Sequence, residues 1–66
     1  MDRTLRLAAR ALRSARKAHN ITQLQLANAL RCPEFKVSRW ETGRLAIKAE
    51  DAPRILSAFK VVGVRP

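Results

Sequence analysis

Residues 22–41, which read TQLQLANALRCPEFKVSRWE, decide the fold of this chain. They predict two short amphipathic helices joined by a tight turn near Arg31-Cys32. The apolar positions that recur at helical spacing are Leu26, Ala27, Leu30, Val37 and Trp40. Ala27 stands where two crossing helices would touch, and its small side chain permits a close approach. We therefore expect an all-α domain built around this helical pair.

The outward face of the second predicted helix carries polar and aromatic side chains suited to base edges in a DNA major groove. We predict a base-reading set of Glu34, Phe35, Ser38 and Arg39. Arg39 can donate two hydrogen bonds to guanine. Glu34 could instead cap the helix, Phe35 could pack on the turn, and Ser38 could contact a phosphate. Lys36 is predicted to contact a phosphate, which positions a helix without reading sequence.

Composition independently indicates a polyanionic partner. The 66 residues carry a formal net charge of +9 and a pI near 11.7, which is typical of nucleic-acid binding. The hydrophobic content of 47% is too high for a disordered basic tail. The single cysteine excludes an internal disulfide, and a lone His with a lone Cys makes no metal site. No apolar run reaches membrane-spanning length, and no signal segment precedes the first helix, so we expect a cytoplasmic protein.

The joint spacing of these residues resembles helix-turn-helix domains of the Cro and phage-repressor type, often called XRE-like. The resemblance covers about residues 10–60, and it is carried by Leu12, Arg16, Thr22-Gln23, Leu26-Ala27, Leu30, residues 37–41, Gly43 and Ile55-Leu56. It implies one compact domain over residues 1–66, of the lambda-repressor-like type with four or five helices. The helix-turn-helix would span residues 22–41. One departure is Arg31, which stands where the family usually has Gly in the turn.

The resemblance also implies roles for particular side chains. Arg16 would pair with Glu41 and tie the first helix to the end of the recognition helix. Gln23, at the start of the second helix, would bond a DNA phosphate, with a simply exposed polar side chain as the alternative. Arg44 and Lys48 follow the recognition helix and are candidate clamps on the DNA backbone, with simple loop solubility as the alternative.

The flanking segments complete the predicted domain. A first helix over about residues 4–18 carries an arginine-rich stripe, which either contacts phosphate or is a solvated face. Membrane binding is disfavoured because the apolar face is mostly alanine. We expect Cys32 to be buried, and Pro33 to be the first residue of the third helix. A fourth helix opens at Glu50-Asp51, and it should turn Ile55, Leu56 and Phe59 toward the core.

In the C-terminal segment, β-branched residues stand on both sides of Gly63 and interrupt the helical pattern. These residues predict a short extended tail, and we expect residues 59–66 to form a dimerisation tail. The predicted interface residues are Phe59, Val61, Val62 and Val64. A small core gains stability from oligomerisation, and two such tails could pair about a two-fold axis.

The sequence therefore predicts a DNA-binding transcriptional regulator, and more narrowly a repressor that binds an inverted-repeat operator as a homodimer. It would act by excluding polymerase, because 66 residues leave no room for an effector domain. An antitoxin that binds DNA and a partner toxin, and a nonspecific DNA-coating protein, are the alternatives. No catalytic constellation, cofactor site or small-molecule substrate site is evident, so we do not expect an enzyme.

Overall fold

A computed structural model of the chain describes residues 3–63, with side chains from residue 7 to residue 62. The described part contains four helices and no strand: α1 (Arg3–Ala18), α2 (Gln23–Leu30), α3 (Glu34–Thr42) and α4 (Asp51–Gly63). The prediction of an all-α helix-turn-helix fold is confirmed.

Helix α1 is amphipathic, with one face packed in the domain and the other exposed. Ala9 and Leu12 are buried against the rest of the domain, whereas Arg10, Arg13 and Lys17 are exposed. The helix stops before Asn20, which adopts the left-handed conformation with φ 57°. Asparagine tolerates that conformation better than most residues, so the chain turns here without a glycine.

Helix α2 begins with a complete capping box. The Thr22 hydroxyl accepts a hydrogen bond from the Gln25 backbone N–H, and the Gln25 side chain accepts one from the Thr22 backbone N–H. This reciprocal pair satisfies two of the backbone donors that a helix start leaves unpaired. The helix ends at Arg31, a left-handed residue with φ 56° whose backbone N–H donates to the end of α2.

Two expectations around the start of α3 are wrong. Pro33 caps the helix from outside with extended backbone, and Glu34 is the first helical residue. Cys32 is half-buried rather than buried, because it lies on the short linker between α2 and α3 and packs only in part against the core. At the other end of α3, Gly43 is left-handed with φ 75° and its N–H donates to the last turn, as a C-cap glycine does.

The core is formed where α2 and α3 meet, with Leu26 and Val37 fully enclosed. Helix α3 also packs on α1, and α4 packs on α2. Ile55 and Phe59 of α4 are buried as predicted, but Leu56 is 63% exposed, and that expectation is wrong. Ile55 and Leu56 lie about 100° apart around the helix, so Leu56 points away from α2.

The expected extended tail is also wrong over residues 61–63, because α4 continues as helix through Gly63. Val62 packs against the core cluster. A β-branched residue costs only a few tenths of a kcal/mol in a helix, and this packing outweighs that cost. Val64 lies outside the described residues.

We predict that Arg31→Gly raises the free energy of unfolding by about 0.5–1 kcal/mol. The left-handed conformation costs an ordinary residue about 1–2 kcal/mol, and part of the gain is lost to the greater freedom of glycine in the unfolded chain. Thermal unfolding should show a rise in Tm of a few degrees. The matched change Asn20→Gly should give a smaller rise, and a lower Tm for Arg31→Gly would contradict the prediction.

Candidate nucleic-acid interface

An ion pair joins α1 to the end of α3. Arg16 donates from Nε to Glu41 Oε2 at 2.6 Å and from Nη2 to Glu41 Oε1 at 3.0 Å. The side chains are 10% and 2% exposed. Arg16 Nη1 also donates to the Ile21 carbonyl at 2.7 Å, so the guanidinium fixes the turn between α1 and α2 as well. A two-bond Arg–carboxylate pair has defined geometry, and here it holds the orientation of α3.

The hydrogen bond to Glu41 raises the pKa of the Arg16 guanidinium above its usual range, burial opposes this, and the charge of Glu41 adds to it. A base with a raised pKa contributes stability that is lost only when pH rises through that value. The stability that the fold gains from protonated Arg16 therefore persists throughout the neutral and mildly alkaline pH range.

Gln23 joins the same network. Its side-chain amide nitrogen donates to Glu41 Oε1 at 3.1 Å, and the residue is half-buried. Sequence reasoning offered Gln23 as a phosphate contact or as an exposed polar residue and missed this bond, since no spacing rule links residues 23 and 41. The amide carries two N–H groups, so one can bond Glu41 while the other can donate to a second acceptor.

The outward face of α3 brings together three of the four predicted base-reading residues. A shallow open pocket is lined by Phe35, Ser38, Arg39, Thr42 and Arg44. Glu34 is exposed at the first turn of α3, where the helix dipole favours an acidic side chain. Sequence reasoning missed Thr42, whose hydroxyl donates to the Ser38 carbonyl at 3.0 Å, and only its spacing of four from Ser38 could have indicated it.

Arg39 lies over the ring of Phe35, with its guanidinium carbon 4.7 Å from the ring centroid. Phe35 is 56% exposed, so this aromatic side chain serves as a platform on the surface. A cation over an aromatic face gains about 0.5–1 kcal/mol at such a site. The contact holds the long Arg39 side chain over the outward face of α3.

Lys36, which follows Phe35 in α3, lies over the ring of Trp40. The Lys36 amine lies 5.3 Å from the Trp40 ring centroid, and Trp40 is 2% exposed. Both residues line a second cleft that Lys48 also borders. The Trp40 Nε1–H has no hydrogen-bond partner within the described residues. Lys36 and Lys48 thus place two positive charges at this cleft, which Glu50 and Asp51 also line.

The loop after α3 is held by a reciprocal pair of hydrogen bonds. Asp51 Oδ2 accepts from the Lys48 backbone N–H at 3.2 Å, and the Asp51 N–H donates to the Lys48 carbonyl at 2.9 Å. Asp51 is buried, whereas Lys48 and Arg44 are exposed. Their side chains therefore extend from an ordered loop.

Arg54 connects α4 to the helix-turn-helix. Its Nη2 donates to the Leu30 carbonyl at 3.0 Å and its Nη1 lies 3.9 Å from Asp51 Oδ1. Sequence reasoning did not identify either role, although an acidic residue at the start of a predicted helix and a cation three residues later are a weak signal.

The predicted dimer residues do not form one surface in the described part of the chain. Phe59 is buried and stacks on His19, with ring centroids 5.4 Å apart. Val62 is half-buried, and Val61 is 74% exposed. Among the three predicted residues whose side chains the structure describes, Val61 is therefore the exposed one.

Comparison with known families identifies this architecture. The family described as a helix-turn-helix domain matches residues 5–65, and the chain belongs to it. Membership supports a DNA-binding role. Neither a curated protein nor a solved structure gives a match. Over the described residues, no helix combines the length and apolar character needed to cross a bilayer.

We predict that Arg16→Ala lowers the free energy of unfolding by about 3–5 kcal/mol, because it leaves the Glu41 carboxylate buried without its partner. Chemical denaturation should show the loss directly. The double change Arg16→Met/Glu41→Leu should recover part of it, since no charge is then stranded. Arg13→Ala on the exposed face of α1 is the control and should lie within about 0.5 kcal/mol of the unchanged chain. An equally small effect of Arg16→Ala would contradict the prediction.

Proposed function

We propose that this protein is a sequence-specific double-stranded-DNA-binding transcriptional repressor that acts in the cytoplasm, as a homodimer and without catalytic activity. Family membership supports the DNA-binding class. The proposal that the binding is sequence-specific is supported above all by one observation. Helix α3 presents an outward face with a stacked Arg39 while its inner face is held by buried side chains.

A helix that reads bases needs a fixed position and a free outer surface. Val37, Trp40 and Glu41 are buried and hold α3 in place. Phe35 and Arg39 are exposed on the other side. Arg39 is assigned to guanine, because its forked donors match the O6 and N7 acceptors. Glu34, Phe35 and Ser38 complete the proposed base-reading set.

Cations beside this surface are assigned to phosphates. Lys36 lies on one flank of α3, and Arg44 and Lys48 extend from the loop that follows it. One amide N–H of Gln23 donates to Glu41, and the second is assigned to a phosphate. These contacts position α3 and contribute to affinity without distinguishing sequences.

A homodimer would place two recognition helices on one duplex. Dimers of helix-turn-helix domains contact half-sites about 34–36 Å apart, which is one turn of DNA. The operator is therefore expected to be an inverted repeat with its centres about 10 base pairs apart. Occupying such a site would exclude polymerase.

Selection of bound sites from random DNA tests this proposal. The selected sequences should contain the inverted repeat, and binding to them should survive an excess of random competitor DNA. A nonspecific coating protein would yield no shared site and would lose binding to the competitor. That result would overturn the proposal.

We predict different outcomes for Arg39→Ala and Lys36→Ala. The first should cost about 1–3 kcal/mol in binding and relax the base preference at one position. The second should weaken all sequences nearly alike and reduce the slope of log affinity against log salt by about one. Titrations of a selected site and its single-base variants at several salt concentrations distinguish the two. Lys60→Ala, an exposed change on α4, is the control. An unchanged base preference in Arg39→Ala would contradict the assignment.

A further inference from the structure

Phe35 is a large apolar side chain that the domain leaves uncovered on the outward face of α3. It is 56% exposed, although phenylalanine is among the residue types most often buried. The shallow pocket that it lines is completed by Ser38, Arg39, Thr42 and Arg44, all of which are polar or charged. Among these five side chains, the Phe35 ring therefore supplies the main apolar contact that a bound molecule can meet.

The stacking of Arg39 on Phe35 leaves the hydrogen-bond donors of Arg39 accessible. The guanidinium carbon lies over the ring, 4.7 Å from its centroid. A guanidinium is planar, and its N–H groups form a fork within that plane. An aromatic ring over the flat face therefore blocks none of the donors. Arg39 can keep this stack while its fork donates to a base.

The stack also fixes the level of the Phe35 ring relative to the bound base. When Arg39 donates to guanine O6 and N7, both acceptors lie in the plane of the base, and the fork lies in that plane too. The ring is then above or below the plane. Its distance of 4.7 Å is nearer to one base-pair step of about 3.4 Å than to two steps of about 6.8 Å. The ring therefore lies level with the base pair next to that guanine.

The major-groove edge of this neighbouring base pair must suit an apolar ring. Purine N7, guanine O6, adenine N6 and cytosine N4 are all polar groups. Covering one of them with a phenyl ring removes water without supplying a new hydrogen bond, which is unfavourable. Thymine instead presents its C5-methyl group to the groove, and phenylalanine suits that group.

We propose that Phe35 and Arg39 together read one two-base unit, which consists of a guanine and, on the adjacent base pair, a pyrimidine that carries a C5-methyl group. This preference rests on the proposed function, because it specifies two neighbouring bases of the site that α3 reads. Arg39 selects the guanine, and Phe35 contacts the methyl group. Since the methyl group is what the ring recognises, 5-methylcytosine meets the same requirement as thymine.

The other polar groups of the pocket leave this position to Phe35. The Thr42 hydroxyl lies 3.0 Å from the Ser38 carbonyl and 3.3 Å from the Arg39 carbonyl, so its proton is directed to the helix backbone. Phe35 and Arg39 are four residues apart and lie on the same side of α3. The two side chains therefore act on adjacent base pairs as one unit.

Titration of synthetic duplexes tests the two-base preference. The parent duplex carries a site selected from random DNA, in which Arg39→Ala identifies the guanine by relaxing the preference there. The thymine beside it is replaced by uracil, which pairs in the same way and lacks only the C5-methyl group. The unchanged protein should bind the uracil duplex about threefold to fivefold more weakly for each half-site, as expected for one buried methyl group. Placing 5-methylcytosine at that position should strengthen binding by a similar factor relative to cytosine.

Variants assign the effect to the ring. Phe35→Ala should bind the thymine and uracil duplexes equally, while some preference for the guanine remains because Arg39 is still present. Leu56→Ala is the matched control, since it also shortens an exposed apolar side chain, but on α4. It should keep the ratio of the two affinities that the unchanged protein shows.

Three results would overturn the two-base preference while leaving base reading by α3 in place. They are equal binding of the thymine and uracil duplexes by the unchanged protein, selected sites with no thymine beside the guanine, and an unchanged ratio in Phe35→Ala. Phe35 would then serve only to orient Arg39. A selection that yields no shared site would instead overturn the proposed function, and the two-base preference with it.

Discussion

The ion pair between Arg16 and Glu41 is the constraint on which the other parts of this small domain depend. It joins helices that lie 25 residues apart in sequence, and its third bond fixes the carbonyl of Ile21 at the turn before α2. One guanidinium therefore sets the relative positions of three helices. A hydrophobic contact at the same place could supply comparable stability, but it would not impose the same directional geometry. Gln23 extends the network to the start of α2. The Glu41 carboxylate of α3 is therefore bonded to both α1 and α2.

The two sides of α3 differ, since one is buried in the core and the other is exposed. Val37 and Trp40 are enclosed in the core, and the end of the helix is fixed by Gly43. The outer side carries Arg39 on an aromatic platform. Restricting a long side chain before binding lowers the entropy that is lost when it meets its target. The platform therefore favours a defined orientation of Arg39 even in the free protein.

The parts of the fold that depend on neighbouring residues can be explained by local sequence rules. The Thr22–Gln25 capping box and the left-handed Asn20 follow from side-chain chemistry within a few positions. Leu56 was misplaced because helical spacing identifies an apolar face without saying which helix will cover it. The predicted tail failed for a related reason, since packing of Val62 against the core outweighs a weak β preference. The bond from Arg54 to the Leu30 carbonyl joins residues 24 positions apart, and no local pattern could indicate it. The bond between Asp51 and the Lys48 backbone spans only three residues. The outward residues of α3 were found from spacing alone, and the i, i+4 spacing of Phe35 and Arg39 could also have indicated their stacking.

Trp40 gives this protein an internal optical reporter. It is the only tryptophan, and the chain has no tyrosine, so intrinsic fluorescence arises almost entirely from one indole. That indole is 2% exposed and is covered by the Lys36 amine. Its emission should therefore be characteristic of an apolar environment and sensitive to any movement of the cation above it. Disordering of the core would shift the emission to longer wavelength, whereas withdrawal of Lys36 toward another charge would change its intensity with little shift. A single unlabelled fluorophore thus lies between the core and the outer surface of α3. Its emission wavelength reports on the core, and its emission intensity reports on Lys36.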